Sequence, residues 1–188
     1  EFFDFNEIYE IAPLSSTSIT IGRTLCADKA ITQSLCVAII FLIVGSDPAQ
    51  LNATALPEIL SHFPDGSSIQ TLHHYFQNII TEKFQAYDYG HFNNYKQYGQ
   101  ITPIMYDLKK ITAPLALFYG ANDLRTPKSS VLETYRHLPN IIVLEENPYK
   151  LFNHMDFLWA IDAKTLMYDR LIELLQEFDN RCEQSMIN

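Results

Sequence analysis

Positive charge is scarce in this sequence, with 13 Lys and Arg against 22 Asp and Glu and a formal net charge of -9. The basic residues are scattered, whereas phosphate binding needs them clustered, so no nucleic-acid partner is expected. Long apolar runs are lacking too. The longest, Leu35 to Val44, is about half of what a helix needs to cross a bilayer, so no transmembrane segment is expected. The six glycines never flank a serine at the Gly-x-Ser-x-Gly spacing of a strained nucleophile elbow. No serine in this sequence therefore reads as an acyl-forming nucleophile. Neither His-Glu-x-x-His nor a Cys/His ligand spacing occurs, so no metal and no cofactor is expected. The opening Glu1-Phe2-Phe3-Asp4 has no Met, basic n-region or apolar h-region, which suits an internal piece or a processed product.

Aromatic residues are plentiful, with 11 Tyr and 12 Phe in 188 residues that are 47% hydrophobic. That composition excludes disorder and points to a thick core or a greasy binding surface. The scattered acidic residues read as a solvated face that keeps the protein soluble.

Along the chain, residues 1–25 read as irregular, with a Ser/Thr cluster from Ser15 to Ser18. The stretch Ile31 to Val44 reads as a buried helix that stops at Gly45-Ser46-Asp47-Pro48. Leu56 to His62 fits a short helix and Pro64-Asp65-Gly66 a turn. Ser67 to Glu82 has Ile69, Leu72, His73, Phe76, Ile79 and Ile80 on one face, the mark of a longer helix. The Tyr- and Asn/Gln-rich residues 84–99 read as an extended linker. The texture then changes: Leu115 to Tyr119 is a short apolar run closed by Gly120, a buried parallel strand. Lys128 to Leu138 has helical spacing, Ile141 to Leu144 is a second strand, and Asp162 to Phe178 is an amphipathic helix.

Residues 106–188 thus read β-α-β-α, the repeat of a doubly wound sheet, and residues 1–105 as a helical region with its linker. Two strands do not make a stable α/β sheet alone, so the parallel sheet is incomplete here and its other strands are expected upstream of Glu1.

Two polar residues stand where strand ends of α/β proteins present functional groups. Asp123 lies in the turn Gly120-Ala121-Asn122-Asp123-Leu124 after the first strand, and His154 lies in Asn153-His154-Met155-Asp156-Phe157 after the second. Each has a bland reading, a helix cap for the aspartate and a satisfied polar side chain for the histidine. As a pair in this chain order they match the last two members of the Ser, Asp, His sequence of α/β-hydrolases. The aspartate would accept the Nδ1 proton of the histidine, fix its tautomer and stabilise the imidazolium formed when Nε2 takes a proton from a serine. Joint metal binding by Asp123, His154 and Asp156 is a further reading without motif support. His73 and His74 read as packing or surface residues. Cys26, Cys36 and Cys182 leave open a disulfide or buried thiols, and Asn52-Ala53-Thr54 is a glycosylation sequon.

These residues resemble the acid lipase family, which contains the gastric and lysosomal acid lipases. The resemblance rests on Ser68-Ile69-Gln70 through His74 to Gln77, on Lys83-Phe84-Gln85-Ala86-Tyr87-Asp88-Tyr89-Gly90, and on Asn153 to Ala163 preceded by Gly120 to Leu124. It implies the C-terminal part of an α/β-hydrolase fold preceded by a mainly helical cap or lid. It further implies a lipid ester substrate, triacylglycerol or sterol ester, a cap that meets the lipid interface, and a secreted or lysosomal location. By position, Asp123 and His154 are similar to the family's acid and base, Cys26 and Cys36 to its cap disulfide, and Asn52 to a cap glycosylation site; Cys182 has no assigned partner. Tyr75 replaces a Trp common in the cap signature, and the stretch between Asp123 and His154 is slightly longer than usual. With its serine missing, the chain alone is expected to be inactive. The alternative is an inactive truncated homologue or a remnant that binds apolar ligands.

Overall fold

The computed structural model describes residues 10–11, 15–63 and 65–187, with the side chains of residues 11 and 181–187 left aside. The first nine residues, Pro64 of the expected turn and the side chain of Cys182 lie outside the described residues. The chain forms two compact units, one from Glu1–Thr24 and Pro57–Lys110, the other from Leu25–Leu56 and Ile111–Asn188. Residues 25–56, which read in sequence with the helical region, thus pack with the residues of the strands.

In the first unit, β1 (Glu10–Ile11) pairs antiparallel with β2 (Ser67–Ser68). The Ser/Thr cluster is not irregular. It opens helix α1 (Ser16–Leu25): Ser15 Oγ accepts from the Ser18 amide at 3.1 Å while Ser18 Oγ accepts from the Ser15 amide at 2.9 Å. Such reciprocal bonds satisfy amides that a helix start leaves without partners. A short helix, α3 (Leu56–Ile59), follows in the chain order after α2 of the other unit. Helix α4 (Ile69–Thr81) is capped by Ser68, whose Oγ accepts from the Thr71 amide at 3.0 Å.

The expected linker is also corrected, since residues 84–99 are ordered and include helix α5 (His91–Tyr98). Asn94, fully buried, donates from Nδ2 to Asp88 Oδ1 at 2.7 Å and to the Ile101 carbonyl, and accepts from the Tyr89 amide. Gln77 of α4 exchanges two bonds with the backbone of Asp88. The side-chain amides that read as turn formers here replace backbone pairing. His73 and His74 serve this segment, with His73 Nδ1 on the Tyr87 hydroxyl and His74 Nε2 on the Gln85 carbonyl.

The second unit is built on β3 (Leu115–Tyr119) and β4 (Ile141–Glu146), paired in parallel with a register irregularity between Leu115 and Ala116. Helix α6 (Lys128–His137) is the crossover between them, which a parallel pair requires. After β4 come the short α7 (Asp156–Trp159), a π-helical turn at Lys164–Tyr168 and α8 (Asp169–Ile187). The apolar run forms helix α2 (Gln33–Val44), but it is not buried. Leu35 is 63% exposed and Leu42 79%, and only Val44 of the helix is buried. A helix that is apolar on every side carries no periodicity to say which side is covered. Among the described residues no helix is long and apolar enough to cross a membrane.

Cys26 and Cys36 form a disulfide that ties the first turn of α2 to the residues before it. Closing a short loop constrains the unfolded chain, so Cys36→Ser is expected to cost about 2–3 kcal/mol. Denaturant unfolding under oxidising conditions measures this loss directly.

Candidate active site

The parallel pairing of β3 and β4 carries their two following loops to the same sheet edge. There His154 Nδ1 lies 3.0 Å from Asp123 Oδ2. The Asp123 side chain is only 3% exposed, and that of His154 is 48% exposed. The other oxygen of Asp123, Oδ1, accepts the amides of Arg125 and Thr126, each at 2.7 Å. The carboxylate is therefore fixed by backbone on one side and turned to the imidazole on the other. Its two amide bonds resemble those of a helix cap, but the loop they close aims Oδ2 at His154.

The histidine loop is fastened on both sides of His154. Asn153 Oδ1 accepts from the amides of Met155 and Asp156, and Asp156 Oδ2 accepts from the Asn153 amide at 2.7 Å. This is the reciprocal geometry of a helix start, and α7 begins from it. Asp156 is thus engaged within its own loop, on the Asn153 amide, and is not bonded to Asp123 or His154. Among the described residues no group of three His, Cys, Asp or Glu is placed to hold a metal ion.

Both strand-end loops close on the end of α2. The Val44 carbonyl accepts the amides of Leu124 and of His154, each at 3.4 Å. Asn153 Nδ2 donates to the Gly45 carbonyl at 3.0 Å, and Asn122 Nδ2 to the carbonyls of Ser46 and Leu151. Gly45 makes this approach possible with φ +107°, a backbone region that only glycine enters freely. A Cβ there would sit 2.0 Å from the Asn122 carbonyl oxygen. Gly45→Ala is therefore expected to cost about 3 kcal/mol or more, combining backbone strain with displacement of the Asn122 loop. A variant whose chemical unfolding matches the native protein would show that this close approach is dispensable.

Sequence reasoning missed these supports. Gly45-Ser46-Asp47-Pro48 reads only as a helix stop, and Asn122 and Asn153 read as neighbours of the candidate residues. The one local signal was a glycine directly after an apolar run. Tyr149, after β4, donates its hydroxyl to Asp47 Oδ1 at 3.0 Å, and its own ionisation is pushed up by burial and by that carboxylate. At the end of β4, Lys128 and Lys150 hold the Glu146 carboxyl down at about 2.

A parallel β-α-β unit whose two strand ends bring together a hydrogen-bonded aspartate and histidine is compatible with part of a fold of α/β-hydrolase type. No protein-family model matches the chain. It is 35% identical over 153 residues to Lipase 1 of Drosophila melanogaster, which covers 81% of this chain and 35% of that protein. It is 35% identical over 144 residues to the gastric triacylglycerol lipase of Homo sapiens, covering 76% and 36%. With the lysosomal acid lipase/cholesteryl ester hydrolase of Homo sapiens it shares 29% identity over 170 residues, 90% of this chain and 42% of the relative. The chain belongs to the acid lipase family. It spans less than half the length of the curated relatives it matches.

Proposed function

We propose that this chain supplies the general base, His154, and its orienting acid, Asp123, to a serine ester hydrolase acting on lipid esters, triacylglycerol or sterol esters. The observation that carries the reading is the 3.0 Å bond from His154 Nδ1 to a carboxylate whose other oxygen is already saturated by two amides. Such an aspartate keeps the Nδ1 proton in place and leaves Nε2 as the basic nitrogen. Nε2 then takes the proton of a serine hydroxyl as that oxygen attacks the ester carbonyl, and returns it to the departing alcohol. The buried carboxylate stabilises the transient imidazolium.

In this reading the attacking serine comes from a Gly-x-Ser-x-Gly segment that these 188 residues do not contain. In the same reading the helical region 1–105 is the cap or lid and residues 106–188 are part of the hydrolase core. The exposed side chains of Leu35, Ile39 and Leu42 on α2 suit contact with a lipid interface. Asn52 carries a glycan and the protein is secreted or lysosomal. In support of this, Asn52 is exposed and the chain is disulfide-linked.

The test is hydrolysis of a short-chain chromogenic ester and of a triacylglycerol emulsion by the protein at its natural length, alongside labelling with a serine-directed fluorophosphonate. Turnover and labelling are expected together. Failure of both, in a folded protein, would overturn the hydrolase reading and leave a remnant that binds apolar ligands.

A further inference from the structure

Asp47 and Asp156 are two buried carboxyls that the reaction does not use. Asp47 is fully buried and Asp156 is 4% exposed. They come from distant parts of the chain, Asp47 three residues after the end of α2 and Asp156 two residues after His154, and line one small cavity together with Asn153 and Met155.

Each carboxyl has one oxygen accounted for. Asp47 Oδ1 accepts the Tyr149 hydroxyl at 3.0 Å, and Asp156 Oδ2 accepts the Asn153 amide at 2.7 Å. Asp47 Oδ2 is buried and has no donor among the described residues. A buried acceptor left without a donor is costly, and two carboxylates in contact out of water cannot both stay ionised. One proton between them removes both costs. It supplies the donor that Asp47 Oδ2 lacks and cancels the like charge.

Among the described residues, the neighbouring groups offer no free cation to do this instead. Tyr149 is a neutral donor, Gln50 is turned to Asp162, the His154 imidazole is turned to Asp123, and Lys150 is paired with Glu146. Burial first, and then the Asp47 charge and its hydrogen bond, push the Asp156 carboxyl up to about 6, against the Asn153 amide, which lowers it.

We propose that Asp47 and Asp156 share one proton, and that this proton is the latch holding the His154 loop to the end of α2. The two aspartates are then positioning residues for the histidine. The latch itself does not depend on His154 being a base; only its effect on hydrolysis rests on that reading.

The sign follows from linkage. A carboxyl whose folded value lies above its unfolded value of 3.8 binds its proton more tightly when folded. Its stabilisation is full below about 4 and is lost as pH rises through about 6. The loop is therefore held in acid and released towards neutrality.

The experiment compares the pH dependence of thermal unfolding in the natural-length protein with that of Asp47→Asn. The native midpoint is expected to fall by about 2–3 °C between pH 4 and pH 7 from this pair. In Asp47→Asn, an amide that donates without titrating replaces the proton and removes the Asp47 charge while Asp156 stays buried, so the fall is expected to shrink measurably without vanishing. The imidazoles are common to both proteins and cancel in the difference. Parallel profiles would overturn the latch.

If Asp47→Asn does not fold, the carboxyl carbon shifts of the native protein decide the matter. One aspartate titrating near pH 6 sustains the proposal, and none above pH 5 overturns it. Neither readout uses turnover. An inactive protein with the latch titration intact would refute the hydrolase reading alone, and an active protein with flat profiles the latch alone.

Discussion

His154→Ala in the natural-length protein is expected to lower kcat on a soluble ester by about 10⁴- to 10⁶-fold, the scale on which a triad base acts. Without Nε2 the serine hydroxyl keeps its proton and is a poor nucleophile at any pH near neutral. The KM should change little, because the imidazole acts on the proton in flight rather than on the bound ester. Folding should survive, since the loop is fastened by the His154 amide on Val44 and by the Asn153–Asp156 bonds. Its side chain is also half exposed, so little packing is lost. A purified variant with native unfolding and near-native turnover would remove His154 from the reaction.

Asp123→Asn should be nearly as severe, with kcat down about 10⁴-fold. The reason lies in how the carboxylate is bonded. Oδ1 is taken by the amides of Arg125 and Thr126, so an asparagine here keeps its oxygen on those two donors and turns its NH₂ to His154. The imidazole must then offer a lone pair at Nδ1 and carry its proton on Nε2, the wrong tautomer for a base. The fold should tolerate the change because shape and both amide bonds are retained. Turnover measured against pH separates the two explanations. A tautomer defect lowers the plateau, whereas a mere electrostatic loss shifts the acidic limb of the profile and leaves the plateau near the native rate.

Both experiments rest on residues that were legible in the sequence. Asp123 and His154 were found because β3 and β4 are short apolar runs with clear stops, and because the chain order matches the acid and base of one hydrolase arrangement. The structure places them 3.0 Å apart. The strand and crossover-helix boundaries also agree closely, since local periodicity and turn chemistry set them.

The readings that failed share a cause. The segments expected to be irregular before α1 and extended at residues 84–99 are ordered by side chains that bond backbone. Ser15 with Ser18 does this at one place and Asn94 with the backbone of Tyr89 and Ile101 at another. Composition registers such residues as turn formers and does not record what they bond. Helix α2 was expected to be buried because it is apolar; its sides are largely exposed because burial depends on what packs against a helix.

By itself the sequence determined the α/β character of residues 115–146, the chain order of Asp123 and His154, and the family. Each of these is local or is a pattern along the chain. Only the tertiary structure decided what steadies the site: the end of α2 bonds both strand-end loops, Gly45 permits the contact, and Asp47 and Asp156 line one cavity. Those contacts join residues about 80 to 110 positions apart, and their free energy exists only once the strands are paired and the loops are brought to the same edge.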